Sequence, residues 1–563
     1  MHQWGEFVAR IDSKVVTFHT HACCTQTPTL HLIENQHNTT QHETHHMASS
    51  KKEAQNILEV AIVGAGVSGL GMGIQLLKAG ETNFKIFDKG HDVGGTWRDN
   101  TYPGCGCDVK SSLYSYSFEP WAEWSNSYAK QGEIYKYLRH CATKYGVYPY
   151  IQFNTSITGS AFDEQAGLWN ITTADGKIIQ ARNVVTAVGP FSAPKVAEFK
   201  GAEKFKGKTV HTAAWDHSVE LEGKRVGLIG TGATAVQVGP AIADKVKNLV
   251  VFQRTANWIM PRPDRNIEEA EKALNRKTPL NMKMNRLGVY WFNELTAPFL
   301  ILKYDMFKAQ PEKMASSYLA RKVKDPELRK KLTPTFKFGC KRVLVSSDWY
   351  PTMQKEHVHL ETNAIDCITE KGIRTADGVE HELDVIIYAT GYEVRHTGSP
   401  IDAKGIGGAS LNDKWKDGSE AYQGISTAGF PNLYFLVGPF TGPGHTSVIA
   451  YAEAQIGYVI QAIKLRQKRK LKAISVKPEV EQKFVNTMDF RSEHTVWKSG
   501  CASWYLSPNG RNNTLYPGLN AEYRMRIARF NPAEYVLTAS NGKTVKPKVT
   551  DHISTGLMAI KAA

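Results

Sequence analysis

Residues 57–69 read I-L-E-V-A-I-V-G-A-G-V-S-G. The run rich in branched side chains predicts a buried strand, the glycines a tight turn, and the apolar-periodic stretch up to Gly80 a helix that stops there. Gly64 permits the turn, Gly66 lets the backbone approach a diphosphate at the helix N-terminus, and Gly69 lets the helix pack against the strand. The next strand, N-F-K-I-F-D, ends at Asp88, whose carboxylate suits ribose hydroxyls. A lone G-x-G-x-x-G is a weak sign. The strand before it and the acid after it make this a dinucleotide-binding unit.

The pattern recurs at 224–235, K-R-V-G-L-I-G-T-G-A-T-A, followed by a second helix and by N-L-V-V-F-Q-R-T. Asp88 stands 24 residues after Gly64, and Arg254 stands 24 after Gly230. One structural position thus carries an acid in the first unit and an arginine in the second. An acid suits a free 2'-hydroxyl, whereas a guanidinium grips a 2'-phosphate, so the first site reads as FAD and the second as NADPH. The plain alternative for Arg254 is a surface arginine at a strand end.

Chain order suggests nesting. V-V-T-A-V-G-P at 184–190 reads as a strand leaving one domain, and D-V-I-I-Y-A-T-G-Y-E at 384–393 as a strand coming back. The expected fold is α/β, with two Rossmann-like dinucleotide-binding domains and the NADPH domain inserted in the FAD domain. The parts expected are an extension at 1–56, an FAD domain at 57–195, an NADPH domain at 205–384 with a helical excursion at about 264–335, a second FAD part with substrate-pocket segments at 385–540, and a tail at 541–563.

The chain of 563 residues carries 42% hydrophobic and 22% charged residues, as a globular protein does, and a net charge of +15. Basic runs at 321–331 and 464–472 could meet nucleic acid or acidic lipid. Without a nucleic-acid motif they read as solvated faces that attract anionic cofactors in general. No apolar run reaches the length of a membrane span. The eight cysteines form no C-x-x-C pair and no dense framework, which predicts a reducing, cytoplasmic location and argues against a disulfide scaffold or a zinc site. The first 46 residues hold eight of the 19 histidines and read as a disordered extension rather than a metal-binding tract or a secretory signal. Met47 reads as an alternative start.

Four stretches carry a resemblance: G-G-T-W-R-D-N-T-Y-P-G-C-G-C-D-V at 94–109, F-K-G-K-T-V-H-T-A-A-W-D at 205–216, A-T-G at 389–391 and S-G-C-A-S-W-Y at 499–505. Together they resemble type I Baeyer-Villiger monooxygenases, class B flavoproteins, of the fungal secondary-metabolism kind. The likeness runs from about residue 57 to about 530, and its most specific element spans His211 to Trp215.

The resemblance implies that NADPH reduces the flavin, that O2 adds to it, and that the peroxide formed inserts one oxygen beside a ketone carbonyl to give an ester or lactone. It implies Arg342 as the cation at the reacting centre and Asp108 as its partner. It places Thr96, Trp97, Arg98, Asp99, Asp108 and Tyr114 at FAD, and Gly106, Cys107 and Asp108 near the nicotinamide nucleotide as well. Thr231, Gly232, Ala233, Thr234, Ala235, Val236 and Gln237 would line the second diphosphate turn. Lys341, Arg254 and Thr255 would meet the 2'-phosphate, and Trp504 would reach the nicotinamide cofactor.

Bland readings stand beside these. Lys341–Arg342 is also a surface basic pair, Asp108 a turn former, and Trp504 a core aromatic. Cys105 and Cys107 invite a redox-disulfide reading, which the strained spacing disfavours. Trp349, Tyr350, Phe440 and Trp504 are candidates to line a lipophilic pocket for a polyketide or terpenoid ketone. Competing functions are a flavin-dependent N- or S-oxygenase and an NADPH-responsive regulator without oxygenation. No metal is expected, and the oligomeric state is open. His211 and Trp215, between the two units, read as a coupling element rather than as an acid, a base or a metal site.

Overall fold

The computed structural model describes residues 57–394 and 401–551. The expected N-terminal extension, its histidines and Met47 lie outside them.

The first glycine turn builds as expected. Leu58–Val63 forms a strand, Val67–Lys78 a helix, and Phe84–Phe87 pairs in parallel beside the first strand. Ile178–Thr186 flanks the other side, also parallel, and continues an antiparallel meander with Leu168–Thr173 and Ile157–Asp163. The long Val448–Lys468 helix packs against the Val67–Lys78 helix and closes the main core.

The second turn organises a five-stranded parallel sheet in the order Val358–Glu361, Asn248–Phe252, Arg225–Ile229, Val385–Tyr388 and Lys208–His211. The fold is α/β with two Rossmann-like units. Gly64 (φ +105°) and Gly230 (φ +112°) both require the left-handed side of the map. A Cβ on Gly64 would meet the Ala187 carbonyl oxygen at 2.6 Å, and one on Gly230 the Ala389 carbonyl oxygen at 2.7 Å.

That equivalence corrects one expectation. The strand at 384–393 does not return to the first sheet. Val385–Tyr388 lies inside the second sheet, as Ile178–Thr186 lies in the first, and each ends where its own glycine turn crosses. The domain edge expected at 384 thus falls one strand early. The return is made by Asp402–Lys404 and Leu433–Phe435, which pair in the first sheet. Hydrophobic pattern marked a buried parallel strand but not which sheet it joins.

Helices Glu269–Lys277, Pro279–Ile301, Asp305–Lys322 and Pro326–Lys331 make up the helical excursion. The cysteines supply a second correction. Cys340 and Cys501, 161 residues apart, form a disulfide. Local spacing could not reveal a pair brought together by the fold, and the argument for a reducing location loses its support. No helix among the described residues is long and apolar enough to cross a membrane.

Candidate active site

Both helices after the glycine turns begin at an uncapped N-terminus. Gly66 and Gly232 occupy the N-cap positions with nearly identical torsions, and no side chain accepts from the first-turn N–H groups. Nothing lies within 4 Å of where a Gly232 Cβ would stand. Free N–H groups and a positive helix end fit a dinucleotide diphosphate in each cradle, with open space at Gly232 and only the Gly95 Cα, 3.8 Å away, near a Cβ on Gly66.

Around the first cradle, Asp88 is less free than expected. Its Oδ2 accepts from the Ala65 N–H at 2.6 Å, and its Oδ1 accepts from Arg98 Nη1 and the Gly90 N–H, both at 2.8 Å. The carboxylate therefore fixes the turn and a buried arginine, leaving little capacity for a ribose. Arg98 is also clamped by Asp99, whose Oδ1 and Oδ2 accept at 2.6 and 3.0 Å. Gly90 is glycine for a visible reason, since a Cβ there would meet the Arg98 guanidinium carbon at 2.1 Å. Thr96 opens the short helix that carries Trp97, Arg98 and Asp99, and Trp97 Nε1 donates to Tyr114 Oη at 3.0 Å.

In the second unit, Thr231 Oγ1 donates to the Thr255 carbonyl at 3.0 Å, while Ala235 and Val236 are core residues whose side chains do not line the turn. Ala233 and Thr234 start the helix. Gln237 turns away from its own unit. It donates to the Gly106 carbonyl at 3.0 Å and accepts from the Gly106 N–H at 3.3 Å and from Tyr102 Oη at 3.0 Å. One side chain thereby joins the two nucleotide units at the loop that also carries Cys107 and Asp108. Arg254 is exposed and has no ion pair among the described residues, and burial together with Arg254 holds the Lys341 ammonium below its ordinary pKa. Two neighbouring cations without a carboxylate fit a phosphate.

Arg342 and Asp108 form a bidentate pair, with Nε donating to Oδ2 at 2.8 Å and Nη2 to Oδ1 at 2.7 Å. Asp108 holds the guanidinium above its ordinary pKa. Arg342 keeps 39% of its side-chain surface open and lines a cavity of about 440 Å³. Tyr128, Val289, Phe292, Leu300, Trp497 and Tyr505 supply much of the apolar wall. Burial pushes the Tyr505 phenol up to about 12, so it stays protonated beside the arginine.

These wall residues were missed by sequence reading because they come from distant segments. Of the expected aromatics, Trp349 and Tyr350 pack in the core of the second unit and Phe440 in that of the first. Trp504 stands outside the cavity, with its ring 6.1 Å from Phe191. Also unforeseen is His445 on the cavity wall, whose Nε2 meets the buried Glu294 Oε1 behind it at 2.7 Å. His445 Nδ1 and Thr446 Oγ1 are buried there without a hydrogen-bond partner among the described residues. Burial holds the Cys105 thiol up at about 11 and raises Cys107 further, so neither is a ready thiolate and both are free. Among the described residues no cluster could hold a metal ion.

His211 lies where the two units join. The outgoing and returning connections pair antiparallel, with Lys195 N–H donating to the Gly391 carbonyl and Glu393 N–H to the Ala193 carbonyl, both at 2.9 Å. His211 Nδ1 accepts from the Ala213 N–H at 3.1 Å, so Nε2 carries the proton toward the Lys195 carbonyl at 3.3 Å and Thr390 Oγ1 at 3.2 Å. Burial lowers its pKa, which keeps it neutral. Trp215 packs against the second core, and His217 reaches Thr101 in the first unit at 2.8 Å.

Two helix N-termini built as diphosphate cradles, together with a fixed cation on the wall of an apolar cavity, fit a redox enzyme that uses two dinucleotides. Known proteins narrow the class. The flavin-binding monooxygenase-like family matches residues 58–397. A Baeyer-Villiger monooxygenase of Pseudomonas aeruginosa is 42% identical over 86% of this chain and 92% of its own length. The FAD-binding monooxygenase ktnD of Aspergillus niger is 34% identical over 88% and 84%. A crystal structure of cyclohexanone monooxygenase from Rhodococcus sp. Phi1 bound to NADP+ superposes with a TM-score of 0.77 at 27% identity, covering 86% of this chain and 99% of that one. This chain belongs to the flavin-binding monooxygenase-like family, as an FAD- and NADPH-dependent flavoprotein monooxygenase of the Baeyer-Villiger type. Of the two sequence relatives the bacterial one is the more similar, at 42% against 34% identity.

Proposed function

We propose that the chain inserts one oxygen atom from O2 beside the carbonyl of a bulky, lipophilic ketone, releasing an ester or lactone, with Arg342 and Asp108 at the reacting centre. The observation that carries this reading is the Arg342–Asp108 pair on the wall of an apolar cavity. FAD reduced by NADPH supplies the oxygen-activating chemistry. Around the first cradle Gly64, Gly66 and Gly69 admit the diphosphate, and Asp88, through Ala65 and Arg98, holds the turn that receives it.

The second cradle takes NADPH, with Arg254 and Lys341 meeting the 2'-phosphate. Arg342 keeps its charge in a half-dry site and stabilises negative charge on oxygen near the ketone, and Asp108 fixes its plane. Tyr505 donates a hydrogen bond from the same wall. Leu300 and Trp497 exclude water, and Phe292 at the cavity edge helps receive the substrate's apolar body. The size of this cavity suits a polyketide or terpenoid skeleton, which gives the enzyme a role in secondary metabolism.

The test is turnover of a ketone panel, from small cyclic to polycyclic, with product structures by NMR. Esters or lactones from the larger members support the reading; NADPH oxidation that no ketone accelerates would overturn it.

A further inference from the structure

The helix Pro279–Ile301 is built inside out. Its charged side chains after the first turns, Arg286 and Glu294, both point inward. Arg286 donates to the Ser112, Leu113 and Ser115 carbonyls, and Glu294 accepts from the Ala521 N–H while meeting His445. Its exposed positions from Met284 to Phe299 are Met284, Asn285, Gly288, Trp291, Phe292, Leu295 and Phe299, with no charge among them. At about 100° per residue these fall on one face. Leu280, Met284, Trp291 and Leu295 keep 47 to 73% of their surface open.

A contiguous apolar face of this length on a helix marks an interaction site. The charge around it selects the occupant. Leaving out the buried Arg286, Lys308 and Glu294, residues 269–331 carry twelve Lys and Arg against six Asp and Glu, and Lys277 and Lys283 are exposed at the N-terminal end of the helix. Two copies pressed face to face would bring like-charged surroundings together, which opposes a dimer here. An anionic bilayer surface matches both the apolar stripe and the basic surroundings.

We propose that this helix lies in the interface of an anionic lipid surface, with Met284, Trp291 and Leu295 inserted and the neighbouring lysines over the headgroups. The placement has a consequence for the enzyme. Asn285, Gly288, Val289, Phe292 and Asn293 of the same helix line the Arg342 cavity, so the helix forms the wall between that cavity and the lipid. A ketone dissolved in the bilayer reaches the site past this helix without crossing water. The basic surface read from sequence as merely solvated acquires a partner.

The docking face is independent of which ketone is oxidised, because vesicle binding is measured without turnover. The FAD-loaded full chain is mixed with vesicles of phosphatidylcholine alone or with an equal share of phosphatidylglycerol, then floated. The wild type is expected to float with the anionic vesicles and to stay behind with neutral ones. The Met284→Ser/Leu295→Ser variant, checked for flavin content and turnover of a water-soluble ketone, is expected to bind anionic vesicles at least about tenfold more weakly with both unchanged. No flotation of the wild type, or equal flotation of the variant, would overturn the proposal. So would a wild-type dimer, seen by light scattering, that the variant dissolves.

Discussion

Arg342 and Asp108, 234 residues apart in the chain, meet through two parallel hydrogen bonds of 2.7 and 2.8 Å on the wall of the apolar cavity. The pair keeps a guanidinium charged and fixed in plane where solvent is scarce. Arg342→Ala is expected to leave FAD binding and its reduction by NADPH intact while lowering oxygenated product by about 10²- to 10³-fold. Arg342→Lys should recover little, since an ammonium cannot make the two-point grip. Stopped-flow reduction beside product yield separates the two effects, and full product yield from Arg342→Ala would remove the arginine from the mechanism.

In the proposed function Gly230 and Arg254 belong to the NADPH site. Gly230→Ala forces a side chain at φ +112° and 2.7 Å from the Ala389 carbonyl oxygen, so it should abolish NADPH-driven reduction while the flavin stays bound. Arg254→Ala should raise the KM for NADPH by about tenfold or more and leave that for NADH unchanged. Steady-state kinetics with the two coenzymes measure this.

Lys341 gives that site a pH signature. The form proposed to meet the 2'-phosphate is the protonated one, and burial with Arg254 nearby lowers its pKa below the ordinary lysine value. As pH rises the charge is lost earlier than for a free lysine, so the KM for NADPH should climb on the alkaline side while the KM for NADH stays flat. Lys341→Arg should push that climb to higher pH. The check is KM against pH for both coenzymes.

The Cys340–Cys501 bond ties the loop that carries Arg342 to the segment that carries Tyr505. Cys501→Ser should cost about 2–4 kcal/mol of stability and lower product yield per NADPH more than the rate of flavin reduction. Thermal unfolding with and without reductant measures the first part. Peptide mapping that finds both cysteines alkylated without prior reduction would contradict the bond.

His211 pins the outgoing connection at Lys195 to the returning one at Thr390. His211→Ala should keep flavin content and slow reduction, or release more hydrogen peroxide per NADPH, because the relation between the two units loosens. Unchanged reduction and coupling would make the residue plain packing.

The two glycine turns were legible because their signals are local: a strand, positive-φ glycines and an acid or arginine at a fixed distance. Arg342 and Asp108 came from the resemblance alone, since nothing near either residue in sequence announces a partner 234 positions away. The cavity wall was not legible for the same reason. Val289 and Phe292 come from the helical excursion, Trp497 and Tyr505 from either side of Cys501, and Tyr128 from the first unit. The aromatics singled out by type, Trp349, Tyr350 and Phe440, went to the cores, where large rings bury most surface. Asp88 was correctly placed at its strand end, but its engagement with Ala65 and Arg98 depends on a loop that the strand pattern does not describe.

The most direct measurement supplies NADPH, a bulky cyclic ketone and isotopically heavy O2 to the wild-type enzyme, and reads the product by NMR and mass spectrometry. The account predicts a lactone with one heavy oxygen in the ring, next to the former carbonyl carbon, and loss of that product in Arg342→Ala. A wild-type enzyme that leaves ketones unchanged while converting amines or sulfides to N-oxides or sulfoxides would contradict it.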